Sequence, residues 1–179
     1  MKIEVYAEAC KRTKNDLGPM LNAVHMALGL ASELGELQEC VVKDDLNLIN
    51  LGEEIADHCW YICNYATDRN YILTSEVFKT PLIHTAYDHI MIDGGNIADY
   101  AKRWLAYGQS IDDNKKCKEE WTVISQYLSA LNVIATINGL NIETLMMKNI
   151  AKLYKRYPDK FSEDKALTRD LEAELKVLS

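Results

Sequence analysis

Apolar residues recur at helical spacing through most of the chain. Over about residues 21–43 they stand three or four residues apart, at Leu21, Val24, Leu28, Ala31 and Leu34. This is the pattern of an amphipathic helix, and it also predicts helices over about residues 2–14, 49–65, 82–107, 116–137 and 142–157. A short helix is expected at 71–79, and the charged tail is expected to be helical and mostly solvated. Because no stretch alternates as a half-buried strand does, we predict an all-α fold.

Glycine and capping residues mark several of the expected helix ends. The Gly18-Pro19 pair closes the first helix, Asn138-Gly139 is a C-cap signal, and Ser162 is an expected N-cap. Gly29 and Gly35 lie inside the second predicted helix, where glycine weakens helical structure. We expect both to allow the close approach of a neighbouring helix or a ligand.

Two pairs of acidic residues lie within apolar helical segments. Glu33 and Glu36 belong to the second predicted helix, and Glu54 and Asp57 belong to the third. Residues three apart share a helix face, and a short turn makes these two helices antiparallel neighbours. Four facing carboxylates repel one another unless a proton or a hard cation lies between them. The doublet therefore predicts a divalent-cation site, with Mg²⁺ expected and Mn²⁺ as a substitute.

A magnesium site competes with a solvated helix face, a di-iron site and a zinc site. Either acidic pair alone is typical of a solvated helix face. A di-iron bundle requires Glu-x-x-His on two helices, and neither acidic pair ends in histidine. Cys59 and Cys63 are four residues apart, but no second pair completes a zinc site, so core packing is expected for them.

Composition limits the class of partner and the compartment. The chain has 20 Lys and Arg against 27 Asp and Glu, a net charge of −7, and 48% of its residues are hydrophobic. This balance argues against a nucleic-acid duplex as partner, but a nucleotide needs only a few local cations. With no signal pattern at the start and no apolar run long enough to cross a bilayer, no membrane partner and a cytoplasmic location are expected. Five scattered cysteines indicate reduced thiols.

Candidate cations for phosphate groups follow residue 147. They share one or two helix faces with Tyr154 and Tyr157, and are Lys148, Lys152, Lys155 and Arg156. Such cations could bind a triphosphate that faces a carboxylate–metal centre, although for this segment alone a solvated basic helix end that matches the helix dipole is favoured. Further candidates for ligand contact are Asn22, His25 and, more weakly, Lys43.

The middle of the chain is compatible with a degenerate internal duplication. When residues 30–39 are placed over 93–102, Glu36 falls on Asp99 but Glu33 falls on Asn96. The identity is weak, and helical hairpins align by accident. We therefore expect one domain over residues 1–179, with a metal-binding hairpin at 19–80, a second hairpin at 82–138, and a substrate-binding helix and tail at 139–179.

Three motifs together resemble the MazG-like all-α nucleoside triphosphate pyrophosphohydrolases, phage-type members above all. They are ELGE at Glu33–Glu36, EEIAD at Glu53–Asp57, and NIAKLYKRYPDKFSEDKALTRD from Asn149. The resemblance implies a helical bundle, usually a homodimer or higher oligomer, and a host-cytoplasm location if the chain is phage-encoded. It assigns the magnesium ligands to Glu33, Glu36, Glu54 and Asp57, and the substrate segment to Asn149, Lys152, Arg156 and Tyr157.

The resemblance implies a reaction as well. Members cleave an NTP or dNTP between the α and β phosphates to give a monophosphate and pyrophosphate, and Glu36 or Glu33 would orient the attacking water. Ser32 stands where the family usually has another Glu, which leaves the number of metal ions open. The long stretch at 71–126 is similar to the related dimeric dUTPases. A base-specific dUTPase or dCTPase is therefore the alternative enzyme, and a non-catalytic helical bundle is the alternative class.

Overall fold

The computed structural model describes residues 1–43, 45–109 and 114–178, and within those ranges every regular element is helical. This confirms the predicted all-α bundle. A short 3₁₀ segment, Ser75–Lys79, precedes the fourth helix. The α-helices in the described ranges are α1 Ile3–Lys11, α2 Pro19–Val42, α3 Leu48–Asp68, α4 Ala86–Tyr107, α5 Asn114–Ile137, α6 Ile142–Arg156, α7 Glu163–Leu167 and α8 Leu171–Leu178.

Helices α2 and α3 pack against each other as the predicted hairpin. Near their shared turn, the Asn50 amide donates to Cys40 Sγ at 2.6 Å. Midway along the pair, Gly29 lies against the ring of Tyr61. Contacts whose residue numbers rise on one helix as they fall on the other show an antiparallel arrangement. The acidic residues of both helices are therefore brought to the same level of the bundle.

Gly29 is required by the close approach of α2 and α3. A Cβ atom built at Gly29 would lie 2.0 Å from Tyr61 Cε1, well inside van der Waals contact. The expectation of a close approach is thus confirmed at Gly29. At Gly35 no neighbouring helix approaches, with nothing within 4 Å of a Cβ built there, and the alternative of a ligand beside Gly35 stays a prediction.

Helices α4 and α5 form a second pair that packs beside the first. Gly94 of α4 lies against Leu34 of α2 and Tyr127 of α5, so a small residue stands where three helices meet. The buried core between these helices includes Leu30, Ile62, Ile97 and Leu131. Two helical pairs are thus present, while their origin in a duplicated unit stays a prediction.

Helices α1 and α6 close the first hairpin on its other side. The Tyr6 hydroxyl donates to Asn149 Oδ1 at 2.8 Å, and both residues are fully buried. The Arg12 guanidinium lies 3.5 Å from the centroid of the Tyr154 ring and donates to the carbonyl of Pro158 at 3.0 Å. These contacts fix the end of α6 against α1, and so place the basic end of α6 beside the acidic hairpin.

Several predicted helix ends are confirmed. Gly139 has φ +72°, a backbone conformation that favours glycine, and the amide of Leu140 bonds the carbonyl of Ala135 at 2.8 Å. The Ser162 hydroxyl caps α7 by accepting from the amide of Lys165. The Gly18-Pro19 pair separates the first two helices as expected, but α1 already ends at Lys11, and Pro19 is the first residue of α2. Helix α4 begins at Ala86, later than predicted, because Thr85 accepts a capping hydrogen bond from Asp88 N.

The predicted solvated tail is wrong in one respect. The segment after Ser162 is helical, but it breaks at Thr168–Asp170 into two short helices, and α8 packs on α6. Glu174 of α8 is only 3% exposed. Burial of this charged residue is possible because two arginines surround its carboxylate.

Across the described ranges, no single helix is long and apolar enough to cross a membrane. One pair of consecutive helices reaches that length and apolar content when the two are taken together. It consists of Lys116–Ile137 of α5 and Ile142–Arg156, which is α6, and the two are bent by 102° relative to each other.

Candidate metal centre and substrate cavity

A cavity of about 470 Å³ opens between α2, α3, the end of α6 and the tail. Acidic side chains of the α2–α3 hairpin line one wall. Cationic side chains of α6 and the tail line the other wall, and aromatic side chains complete the cavity. The charged residues on its surface are Glu33, Glu36, Glu53, Glu54, Asp57, Lys152, Arg156, Arg169 and Glu174.

Three of the four predicted metal ligands converge in this cavity. Glu33, Glu36 and Glu54 each offer a carboxylate oxygen, and the three oxygens all lie within 4.8 Å of one another. Glu54 is buried, Glu33 is half-buried and Glu36 is exposed. The group therefore spans the cavity wall from the core to its mouth.

Asp57 lines the same cavity but is bound by cationic and amide donors. Lys152 Nζ lies 2.9 and 2.8 Å from its two carboxylate oxygens, and Asn149 Nδ2 donates to Oδ1 at 2.5 Å. Asp57 is not among the three converging carboxylates. Its side chain keeps 26% exposure, so one side of the carboxylate still faces the cavity.

Crowding changes the acidity of two members of the group. Burial, together with the charges of Asp57, Glu36 and Glu54, raises the pKa of Glu33 to about 8. Burial, with Glu36 and Asp57 as the next contributors, raises the pKa of Glu54 to about 7. At neutral pH the cluster therefore tends to retain protons unless a cation offsets its charge.

The donor set of this group fits a hard divalent cation. All three converging side chains are carboxylates, and oxygen ligands are those that Mg²⁺ and Mn²⁺ prefer. No sulfur or imidazole donor joins them among the described residues, which disfavours a zinc site. The residues that would hold such an ion are Glu33, Glu36 and Glu54, with Asp57 beside them.

Lys152 is a buried cation that faces the acidic wall. It is 1% exposed, and Nζ also contacts Glu53 Oε1 at 3.0 Å. Burial by itself lowers the pKa of a lysine, but the charges of Asp57 and Glu53 outweigh that effect, and the pKa of Lys152 lies above its usual value. Lys152 therefore remains positively charged inside the cavity.

The outer cationic wall consists of two arginines and one acid. Arg156 donates to Glu174 through Nε at 2.8 Å and Nη2 at 2.6 Å, and Arg169 Nη2 donates to the same carboxylate at 2.9 Å. Burial raises the pKa of Glu174, yet hydrogen bonds from Arg156 and Arg169 outweigh burial and hold that pKa below its usual value. The carboxylate of Glu174 is therefore ionised.

Aromatic residues line the rest of the cavity. Trp60 and Tyr61 of α3 meet edge to face, with ring centroids 4.9 Å apart, and Tyr157 and Phe161 lie 5.4 Å apart on the opposite side. Trp60 Nε1 donates to Thr13 Oγ1 at 2.9 Å. These faces provide apolar surface for a planar ring.

The structure separates the predicted ligand-contact residues into three groups. His25, Lys152, Arg156 and Tyr157 line the cavity. Asn149 lies behind the acidic wall, where it joins Tyr6 to Asp57. The remaining two, Asn22 and Lys43, do not reach the cavity lining.

Asn22 and Lys43 are corrections to the sequence analysis. The Asn22 side chain donates to Asp16 and accepts from the amide of Leu17, so it stabilises the turn before α2. Lys43 lies at the far end of α2, is 62% exposed, and contributes to a separate small cavity near Cys40. Asn22 lies in the first turn of the helix that carries Glu33, and Lys43 directly follows its last residue, so the two stand near opposite ends of a 24-residue helix about 36 Å long.

Sequence reasoning missed several residues of the cavity. Glu53 and Tyr61 lie on α3 at one-turn spacing from Asp57, a signal that could have placed them on the same face. Arg169 and Glu174 follow a break in the tail; the tail was expected to bind substrate, but no local pattern singled out these two residues. Tyr6 is distant in sequence from Asn149, and no pattern in the sequence indicated that the two side chains form a hydrogen bond.

Comparison of the chain with known protein families, with curated proteins and with solved structures found no match. Geometry and charge are therefore what characterise the site. An acidic wall faces a cationic wall across one cavity, and aromatic faces lie beside both. This arrangement suits a ligand that carries several anionic oxygens together with a planar ring, bound with a divalent cation.

Proposed function

We propose that the protein is a magnesium-dependent nucleoside triphosphate pyrophosphohydrolase, which cleaves an NTP or dNTP between the α and β phosphates. The observation that supports this proposal best is the convergence of three glutamate carboxylates within 4.8 Å in a cavity whose other wall is cationic. A bound divalent cation supplies positive charge that offsets both the carboxylates and the phosphate oxygens. The choice of the bond between the α and β phosphates rests on the resemblance of the three motifs to the MazG-like family.

The residues of the two walls have different proposed roles. Glu33, Glu36 and Glu54 would hold the cation, with Asp57 beside them as the fourth candidate ligand. Glu33 or Glu36 orients the attacking water and accepts its proton, because a carboxylate that is not fully engaged can act as a general base.

Lys152, which is ion-paired with Asp57 and Glu53 of the acidic wall, and Arg156 on the outer wall neutralise charge that develops on the leaving pyrophosphate. Asn149 and Tyr6 hold Asp57 in place from behind the wall.

The deciding experiment compares Glu54→Gln with Glu39→Gln. Both changes remove one negative charge from the α2–α3 hairpin, but Glu39 is 76% exposed and contacts only Lys43 among the ion pairs of the described residues. Pyrophosphate release from a panel of NTPs and dNTPs with Mg²⁺ should fall at least about 100-fold in Glu54→Gln. It should persist in Glu39→Gln.

Asp57→Asn should also reduce turnover, because the change removes a cavity carboxylate and one partner of Lys152. Circular dichroism would establish that each variant remains folded. Wild-type turnover in folded Glu54→Gln would contradict the ligand assignment. Absence of release from every nucleotide by the wild-type protein would favour a non-catalytic helical bundle.

The same panel tests a base-specific enzyme of the dUTPase or dCTPase kind. His25 lines the cavity, and its buried Nδ1 has no hydrogen-bond partner within the described residues, so a rotation of the ring would present an unpaired nitrogen to a polar base edge. A preference of about 100-fold or more for one base, above what a small difference in apolar fit usually confers, would identify that enzyme. Similar turnover of all bases would favour the broader activity.

A further inference from the structure

Glu174 is a buried carboxylate whose partners are the two arginines of the outer cationic wall. Its side chain is 4% exposed, although it belongs to a short helix at the end of the chain. Arg156 approaches it as a fork, with Nε on one carboxylate oxygen and Nη2 on the other. Bidentate pairing of this kind fixes the plane of a guanidinium group as well as its position.

The fork uses only some of the N–H groups of the two arginines, and Arg156 also interacts with Tyr157 beside it. Glu174 engages Nε and Nη2 of Arg156, so Nη1 is not part of the pair. Arg169 uses Nη2 for the same carboxylate and is 41% exposed, and both arginines line the cavity. Two guanidinium groups around one carboxylate leave a net charge of about +1 at the cavity rim, opposite the glutamate cluster.

Because Glu174 is buried, we expect its carboxylate to hold the two arginines in place, and not to compete with a ligand for them. A phosphate that replaced this carboxylate would have to displace a side chain that is almost wholly buried, and with it the packing of α8 on α6. A phosphate that binds to the remaining N–H groups leaves that packing intact. The arrangement of these three residues therefore pre-orients the two arginines before a ligand arrives.

We propose that Glu174 is a positioning residue, which holds Arg156 and Arg169 side by side as a binding site for the β and γ phosphates and for the pyrophosphate product. The inference rests on the proposed function for the identity of the ligand. It adds Arg169 to the phosphate-binding residues, and it makes the affinity of the cavity depend on the docking of α8.

The test uses Glu174→Gln with Glu172→Gln as the matched control. Both substitutions remove one negative charge from α8, but Glu172 is 85% exposed and pairs with Lys176 on the surface. Inorganic pyrophosphate binding in the presence of Mg²⁺, measured by calorimetry, should weaken about tenfold in Glu174→Gln. It should change less than about twofold in Glu172→Gln.

A kinetic split and a double-mutant cycle separate positioning from a general loss of structure. Glu174→Gln should raise KM for the best nucleotide about tenfold and change kcat by less than about threefold. In a background that already carries Arg156→Gln and Arg169→Gln, Glu174→Gln should have little further effect on pyrophosphate binding, because a positioning residue acts only through its partners. Glu174→Asp, which keeps the charge, should restore part of the affinity.

Arg169→Gln provides an independent variant if Glu174→Gln unfolds. Because Arg169 is partly exposed, this variant should fold, and it should also weaken pyrophosphate binding, unlike the exposed Lys160→Gln. Tighter pyrophosphate binding by Glu174→Gln would overturn the proposal, since Glu174 would then be a competitor of phosphate. Equal binding by Glu174→Gln, Arg169→Gln and wild type would overturn it too.

The failure of this inference is distinguishable from that of the proposed function. If the wild-type protein hydrolyses nucleotides and Glu174→Gln behaves as Glu172→Gln does, only the positioning role fails. If the wild-type protein hydrolyses none, the proposed function fails, and pyrophosphate binding still reports whether Glu174 organises an anion site.

Discussion

At the residue scale, the main feature of the molecule is the crowding of carboxylates that burial keeps close together. Glu33 and Glu54 both have pKa values raised well above those of exposed glutamates. In the unfolded chain, the same groups titrate near 4.5. The folded protein thus binds more protons than the unfolded chain between about pH 4.5 and 8.

This difference predicts how stability depends on pH. Since stability falls with rising pH wherever the folded state binds more protons, the metal-free protein should lose Tm between pH 5 and 8 by a few degrees. For a chain of this size, about 2–4 °C corresponds to each kcal/mol. Thermal melts in the presence of a chelator measure the effect.

Glu33→Gln is the variant that isolates the cause. It should flatten the fall in Tm relative to the wild-type protein and to Glu39→Gln, because an amide does not titrate. Added Mg²⁺ should raise the wild-type Tm more at pH 8 than at pH 6, since protons compete with the cation. An equally steep fall in Glu33→Gln would show that other groups cause it.

The acidic cluster was predictable from sequence, whereas the partners of its residues were only partly so. Spacing of three residues on two neighbouring helices placed Glu33, Glu36 and Glu54 together, because helix periodicity is a local property. Lys152 was expected to face phosphate, but it also forms ion pairs with Asp57 and Glu53. Such pairing depends on how α6 docks on α3, which no local pattern encodes.

At the element scale, the hairpin of α2 and α3 depends on one glycine. Gly29→Ala should destabilise the protein by about 1–3 kcal/mol, the usual cost of overpacking, because the added methyl group meets the Tyr61 ring. Gly35→Ala is the matched control in the same helix. It should stabilise the protein by up to about 1 kcal/mol, since alanine favours helix and the site is open.

Chemical denaturation of the two variants measures this difference directly. The midpoint should move in opposite directions for Gly29→Ala and Gly35→Ala at similar m-values. Equal stability of Gly29→Ala and wild type would mean that Tyr61 moves aside without cost. Because Tyr61 lines the cavity, ligand binding should also weaken in Gly29→Ala and not in Gly35→Ala.

Helices were predictable to within a few residues where caps and periodicity agreed, as at Gly139 and Ser162. The tail shows where that reasoning stops. Its charged sequence indicated a solvated helix, but Glu174 is buried because Arg156 and Arg169 converge on it from outside its own helix. Periodicity reports which face of a helix is apolar, and gives no signal for a buried acid with distant partners.

At the scale of the whole molecule, a buried ion pair joins the two helical pairs. Arg69, at the end of α3, donates to both oxygens of Glu120 on α5, at 2.8 and 2.6 Å, and the Tyr65 hydroxyl bonds the same carboxylate at 2.7 Å. Both charged residues are at most 4% exposed. Neither lines the cavity that holds the acidic cluster.

Glu120→Gln should therefore reduce stability without altering the site. Loss of one partner leaves the Arg69 charge buried and uncompensated, which costs about 3–5 kcal/mol, or roughly 10 °C in Tm for a chain of this size. The exposed pair Lys79–Glu76 supplies the control, because Glu76→Gln should cost less than about 1 kcal/mol. Metal affinity, measured well below the melting temperature, should be unchanged in both variants. A loss of metal affinity in Glu120→Gln would show that the Arg69–Glu120 ion pair and the acidic cluster are not independent.

The central claim, that the facing carboxylates bind a divalent cation, is tested most directly by titrating Mn²⁺ and following the free ion by electron paramagnetic resonance. The wild-type protein and Glu39→Gln should bind Mn²⁺ alike, with Mg²⁺ competing. Glu33→Gln and Glu54→Gln should each weaken binding by about tenfold or more, since the loss of even an outer-shell partner has an effect of that size. Unchanged Mn²⁺ binding in folded Glu54→Gln would contradict the account.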